Sequence, residues 1–254
     1  MENPQRTQRT SSLSATKNRS TRIPFRQTAT RAQRPEQTKG GLYLRLGKRA
    51  VDAVGAFAGL IVTIPVLFAC AIAVRLDSKG PIFFRQRRVG QYGRPFQIFK
   101  FRTMVDGADK QGSSLTASGD ARITKVGKFL RRTKLDEVPQ LLNVFRGEMS
   151  LVGPRPEVPE YTEKYSSKER VVLEVRPGIT GPASLAYIDE EQLLASAVDR
   201  EKFYVNTLMR RKLQFDLVYC RKVCLLEDAR IIFRTAGSLV GLRSSRAHQG
   251  LRLN

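Results

Sequence analysis

Three patterns of apolar and polar positions divide this chain. The first is an unbroken apolar run: from Ala53 to Val74 there is no charged residue in 22 positions. That length crosses a hydrocarbon layer of about 30 Å at about 1.5 Å per residue. Pro65 stands in its middle, where its missing N–H must interrupt the hydrogen-bond ladder. Both flanks are basic, with Arg45, Lys48 and Arg49 before and Arg75, Lys79, Arg85, Arg87 and Arg88 after. The positive-inside bias asks for both ends on one side. A membrane helix over residues 50–76 that enters, breaks at Pro65 and returns satisfies both features. A tilted, proline-kinked span is the alternative. Thr63 is placed to help satisfy a carbonyl freed by the proline. The run starts too late and is too long for a signal peptide.

The second pattern has period two. Ile82–Gln86 and Phe96–Phe101 flank a turn containing Gly90, Gly93 and Pro95, which predicts a β-hairpin. Phe96, Ile98 and Lys100 fall on one face of its second strand. Lys100 and Arg102 at the strand end are placed to reach a phosphate, or serve as protective charges on an edge strand. Residues 106–122 are polar and glycine-rich and predict a mobile loop. The third pattern is helical. It predicts a short helix over 123–132, another from Leu141, and amphipathic helices after Leu208 with Arg210, Arg211, Lys212, Arg221 and Lys222 on the polar side. Those last helices suit a membrane surface or ordinary core packing with a solvated basic face. The predicted fold class is α+β and membrane-associated.

Between the second and third patterns lies Arg131-Arg132-Thr133-Lys134-Leu135-Asp136-Glu137-Val138-Pro139-Gln140. Proline is tolerated in a first helical turn. Thr133 stands three residues before Asp136, the spacing of a capping box. The acid pair is therefore predicted in a first helical turn, where the helix dipole, Arg131, Arg132 and Lys134 keep Asp136 ionised. An ionised Asp among cations suits attack on phosphorus, because the cations also hold the anionic substrate. An ordinary helix start with acids matched to its dipole is the competing explanation. Further on, Arg155 sits between Pro154 and Pro156, which fix the backbone around it. A rigidly held guanidinium suits phosphate, or a salt bridge to Glu148 or Glu157.

Charge sharpens this picture. The 254 residues carry a net +22, which implies an anionic partner. Residues 1–50 contribute +10 of it. Residues 1–41 have little apolar periodicity and predict a disordered basic arm, suited to anionic membrane lipids, to nucleic acid or to no partner. No nucleic-acid recognition motif accompanies the charge, so no nucleic-acid partner is expected. Three cysteines, Cys70, Cys220 and Cys224, exclude a disulfide framework and fit a reducing compartment. The single histidine, His248, excludes a serine–histidine triad and a multi-histidine zinc site. It lies in a predicted frayed tail, residues 243–254.

Five stretches in order resemble the bacterial sugar transferase family, the monotopic phosphoglycosyl transferases. They are the proline-broken apolar run, Lys100-Phe101-Arg102-Thr103-Met104, Leu135-Asp136-Glu137-Val138-Pro139-Gln140-Leu141, Val152-Gly153-Pro154-Arg155-Pro156 and Arg176-Pro177-Gly178-Ile179-Thr180-Gly181. The resemblance spans roughly residues 42–240 and implies a minimal catalytic form, with a transferase domain over 42–242. It implies transfer of a phosphosugar from a nucleotide diphosphate sugar, a UDP-sugar above all, to polyprenyl (undecaprenyl) phosphate. That step initiates a cell-surface glycan, such as an exopolysaccharide or lipopolysaccharide, at the cytoplasmic face of the bacterial inner membrane. By the same resemblance Asp136 is the nucleophile that carries the phosphosugar, and Glu137 helps hold Mg²⁺. Arg155, with Lys100, Arg102 and Arg131 by position, contacts phosphate. The chain departs from the family at Ile64, where a serine often precedes the proline, and over Pro182–Asp189. A non-enzymatic basic membrane scaffold is the alternative function; it leaves Lys100, Asp136 and Arg155 unexplained.

Overall fold

The computed structural model describes Tyr43, residues 47–108 and residues 115–239. The predicted arm and tail lie outside the described residues. α1 runs over Lys48–Asp77. It is followed by a hairpin of β1 (Phe83–Val89) and β2 (Pro95–Phe101), α2 (Lys125–Thr133), a 3₁₀ segment over Leu135–Gln140 and α3 (Leu141–Arg146). β3 (Ser150–Val152) pairs in parallel with β4 (Gly178–Thr180), and α4 (Pro159–Thr162) lies between them in sequence. The described chain ends in α5 (Pro182–Ala186), α6 (Glu190–Ala195), α7 (Arg200–Phe203), α8 (Met209–Lys222) and α9 (Leu225–Leu239). The described fold is thus α+β with two two-stranded sheets.

α1 continues as one helix on both sides of Pro65, so the predicted interruption there does not divide it in two. Its burial is confined to its ends: Lys48, Asp52 and Ala56 at one, Cys70 and Val74 at the other. Phe57, Ile61, Val62, Ile64 and Phe68 in the middle are exposed. Polar contacts hold the first end. Lys48 donates to Asp228 Oδ2 at 2.6 Å, and Asp52 Oδ1 accepts from Ser150 Oγ and Leu151 N, both at 3.0 Å. At the second end Cys70 and Val74 pack with Phe101 and Leu130. Both ends therefore rest on the same body. Thr63 does not serve as the sequence predicts. Its hydroxyl donates to Gly59 O at 2.6 Å, whereas the carbonyl that Pro65 leaves without its i+4 donor is that of Ile61.

The hairpin is antiparallel, with Phe84 opposite Lys100 and Arg88 opposite Phe96. Phe96 and Ile98 are buried on one face and Phe101 on the other, so this is no half-solvated edge. Phe101 packs toward α1, while Phe96 and Ile98 join Ala56, Val144 and Met149. The polar stretch after β2 is partly tied down: Ala108 and Ala117 are buried, and Val105 N donates to Arg122 O. α8 is a core helix. Met209, Leu213 and Tyr219 are buried, and so are Lys212 and Asp216 on what the sequence presents as a basic face. α9 keeps Leu225, Leu226 and Phe233 exposed.

Candidate active site

The acid pair is positioned by a break between two helices. Lys134 adopts φ 58°, ψ 15°, a left-handed conformation that ends α2 and is uncommon for a side chain with a Cβ. The following 3₁₀ segment carries Asp136 and Glu137 in its first turn. No capping box forms, contrary to the spacing. Thr133 is the last residue of α2, and its hydroxyl donates back to Phe129 O and Leu130 O, the i−4 habit of threonine inside a helix. α2 itself is capped by Thr124, which accepts from Gly127 N at 3.0 Å. Gly127 is required: a Cβ there would lie 2.0 Å from Thr103 O. That close approach presses α2, and Arg131 with it, against the end of β2.

Asn143, fully buried, sets β2 against α3. Its Oδ1 accepts from Phe99 N at 3.0 Å and its Nδ2 donates to Gln97 O at 2.7 Å. An amide is here acting as a strand partner, which fixes where the next residue, Lys100, lies over the acid pair. From the other side, β3 leads into Gly153 and Arg155. Gly153 N donates to Thr180 O at 2.9 Å, and a Cβ on Gly153 would meet Arg176 O at 2.4 Å. Only a glycine lets these backbones cross so closely.

Glu137 is the hub. Lys100 Nζ and Arg155 Nη2 both donate to its Oε1 at 2.7 Å, and Arg155 Nη1 reaches Oε2 at 3.3 Å. The Glu137 side chain is 13% exposed, Lys100 17% and Arg155 32%. Burial opposes the Glu137 charge, but the Arg155 guanidinium and the Lys100 ammonium outweigh it and hold the carboxyl well below the usual range. Asp136 is different. It is buried, and its Oδ1 has no hydrogen-bond partner. Burial pushes its carboxyl up; Lys100 opposes that, and the charge on Glu137 adds to it. Burial is the largest influence on Asp136, because a one-turn 3₁₀ segment brings little dipole and much desolvation, while Lys100, Arg131 and Lys134 favour its charge as the sequence expects.

Two predicted phosphate contacts line the groove and are already engaged with protein groups. Arg102 donates to Lys79 O, Ser78 O at 2.7 Å and Val74 O at 3.3 Å. It caps the end of α1 while also lining the groove. Arg131 lines the groove at the acid pair but is paired with Glu191 at 2.5 Å. The groove has a volume of about 1530 Å³ and is lined by Asp136, Glu137, Lys100 and Arg155 together. Sequence reasoning missed its charged far wall, where Lys212 pairs with Glu190 at 2.9 Å and Arg88 with Glu157 at 3.7 Å. Glu157 also accepts from Tyr204. Glu157 follows Pro156 directly and the sequence offers it as a partner for Arg155; Lys212 gives no signal, being hidden among basic neighbours.

Among the described residues no group of three or more His, Cys, Asp or Glu could hold a metal. Mg²⁺ commonly takes one or two carboxylates and completes its shell with substrate phosphates and water. The Glu137 carboxylate at the groove fits that donor set as a single protein ligand.

A broken helix that presents an acid pair, with a lysine and an arginine meeting on one carboxylate, defines an anionic-substrate site on this fold. The chain belongs to the bacterial sugar transferase family, whose profile matches residues 43–241. It is 42% identical over 195 residues to the UDP-glucose:undecaprenyl-phosphate glucose-1-phosphate transferase of Escherichia coli, covering 75% of this chain and 39% of that protein. It is 38% identical over 198 residues to the protein of the same description from Caulobacter vibrioides, covering 77% and 70%. It is 33% identical over 196 residues to the UDP-N-acetylgalactosamine-undecaprenyl-phosphate N-acetylgalactosaminephosphotransferase of Aeromonas hydrophila, covering 76% and 43%. The chain thus spans about two fifths of the length of the first and third of these relatives.

Proposed function

We propose that this protein is a sugar-1-phosphate transferase that moves a phosphosugar from a UDP-sugar to undecaprenyl phosphate. The relatives' described activities and the acid-pair groove support this reading. The observation that carries the chemistry is Asp136 Oδ1, buried and without a partner at the groove. A carboxylate oxygen with no hydrogen bond to lose is a better nucleophile than a solvated one. Asp136 attacks the β-phosphorus, the bond to the α-phosphate oxygen breaks, and uridine monophosphate leaves. The acceptor's phosphate oxygen then attacks the same phosphorus and the Asp136 carboxylate departs. Splitting the transfer in this way gives ping-pong kinetics.

Arg155 and Lys100, which meet on Glu137 in the free site, hold the diphosphate as it arrives. Glu137 would be the residue that helps hold Mg²⁺. The metal, when bound, would neutralise phosphate charge and the charge on the leaving group. Arg131 adds a cation at the groove wall. α1 is long and apolar enough to cross a membrane. Its two basic flanks, and the packing of both ends on one body, support a re-entrant helix with the site on the cytoplasmic face of the inner membrane. The product would begin a cell-surface glycan.

Intact-mass measurement after incubation with UDP-glucose or UDP-N-acetylgalactosamine, without lipid, tests the step. A phosphosugar adduct is expected on the wild type and none on Asp136→Asn. No adduct on the wild type, together with ternary-complex kinetics, would assign the attack to the lipid phosphate instead.

A further inference from the structure

Arg155 is aimed from a short support. β3 is three residues long and forms a two-stranded sheet with β4, Ser150 opposite Gly178 and Val152 opposite Thr180. A pair of strands that short holds little by itself. Only Gly153 and Pro154 separate β3 from Arg155, and the prolines on either side of Arg155 stiffen the link. A shift in β3 therefore passes to the guanidinium, whose 2.7 Å contact with Glu137 leaves little room for one.

A side chain holds the second edge of β3. Ser150 N donates to Pro177 O, toward β4, at 2.8 Å. Leu151 N turns the other way and donates to Asp52 Oδ1 at 3.0 Å, and Ser150 Oγ donates to the same oxygen at 3.0 Å. α1 comes close enough because Gly55 faces Leu151: a Cβ on Gly55 would lie 2.8 Å from Leu151 Cδ1. The Asp52 carboxylate stands where a third strand would. Asn143 serves β2 in the same way, through Phe99 N and Gln97 O, and β2 carries Lys100. Both cations that meet on Glu137 thus sit on or just beyond a strand whose other edge is satisfied by one buried polar side chain.

Among the described residues the Asp52 carboxylate accepts hydrogen bonds from Ser150 and Leu151 alone. Lys48, one turn earlier on α1, pairs with Asp228 at 2.6 Å instead. Asp52 is 2% exposed, lines no part of the groove and leaves Oδ2 without a hydrogen-bond partner. Burying a carboxylate is unfavourable, and an apolar side chain would fill the same space without that penalty. What the carboxylate adds is an acceptor for two donors of β3.

We propose that Asp52 is a positioning residue for Arg155: as the second-edge partner of β3, it fixes where the guanidinium meets the phosphate of the donor. What Arg155 grips rests on the transferase reading; what holds Arg155 does not.

A double-mutant cycle tests this, read by calorimetric affinity for UDP with the full chain in detergent. Asp52→Ala should raise Kd about tenfold, the effect of misplacing one charge-assisted contact to phosphate. In an Arg155→Lys background the same change should raise it less than about twofold, because the fork it positions is already gone. Asp52→Asn keeps an acceptor oxygen for Leu151 N and Ser150 Oγ and should stay within about twofold of the wild type. Met209→Ala, a truncation at a core position that is 1% exposed and does not line the groove, should change Kd by the same factor with either residue at 155. An unchanged Kd in folded Asp52→Ala, or equal fold-losses in the two backgrounds, overturns the proposal. So does a loss in Asp52→Asn as large as that in Asp52→Ala, which would assign the effect to charge. Circular dichroism at 222 nm shows whether Asp52→Ala is folded; if it is not, Ser150→Ala, which removes one of the two donors, takes its place in the cycle. A wild type that binds no UDP counts against the transferase reading alone. The cycle is then read by Tm: the separate losses from Asp52→Ala and Arg155→Lys should sum to clearly more than the loss in the double variant. Additive losses, the rule for independent sites, overturn the positioning role.

Discussion

Replacing Glu137 by glutamine should destabilise the fold as well as the chemistry. The carboxylate accepts from Lys100 at 2.7 Å and from Arg155 at 2.7 and 3.3 Å. A glutamine keeps the shape but offers one oxygen, and turns its NH₂ toward a cation. Lys100 is then left in a desolvated setting that already lowers its pKa. Removing one partner of a buried pair costs about 3–5 kcal/mol. The 13% exposure of Glu137 and 32% of Arg155 argue for the lower end, about 3 kcal/mol. For a domain of this size about 1 kcal/mol moves Tm by about 2–4 °C, so the fall should be roughly 6–12 °C. The chain has no tryptophan, so thermal unfolding is best followed by circular dichroism. Lys100→Met in the same background removes the stranded ammonium and should restore part of the loss, with a coupling of about 1–3 kcal/mol. An unchanged Tm for Glu137→Gln, with additive effects in the double variant, would show that this cluster is not a buried ion-pair hub.

Three further outcomes are expected. Arg155→Lys keeps a charge but loses the two-pronged grip on Glu137 and on phosphate, so kcat/KM for the UDP-sugar should fall by about tenfold or more; wild-type kinetics would reduce Arg155 to a peripheral charge. Arg102→Lys should lower stability by about 2 kcal/mol, since one ammonium cannot replace a guanidinium on three carbonyls, while Kd for UDP by calorimetry is unchanged; a large loss of UDP affinity at constant Tm would return Arg102 to the phosphate site. Burial pushes the Asp216 carboxyl up from 3.8 to about 7 against the nearby Lys212, with its Oδ1 unpartnered beside a cavity of about 20 Å³. The folded state then holds its proton more tightly than the unfolded state. The stability this contributes is complete below about pH 4 and is lost as pH rises through 7, by at most about 4 kcal/mol. Asp216→Asn should flatten that decline in denaturant titrations between pH 5 and 8, and an equally steep decline in the variant would place the titration elsewhere.

Much of this protein is written locally. The apolar run gives α1, because 22 residues without charge leave no polar face for any other use. The alternation around Gly90 and Gly93 gives the hairpin, and Pro139 beside the acid pair gives a helical turn. These signals depend on neighbours in sequence, so the sequence determines them. Several features depend on distant partners. Arg102 reads only as a phosphate ligand in the sequence, and its 2.7 Å contact with Ser78 O, which also makes it the cap of α1, is a tertiary fact. Lys212 reads as solvated until α8 turns it onto Glu190. Thr133 has the spacing of a cap, but α2 continues through it and ends at the left-handed Lys134. The parallel β3–β4 pair is three residues on each side, too short for any periodicity. The meeting of Lys100, Glu137 and Arg155 joins positions 37 and 18 residues apart. Only the tertiary structure could decide it, because ion pairing and desolvation depend on which charges packing brings together.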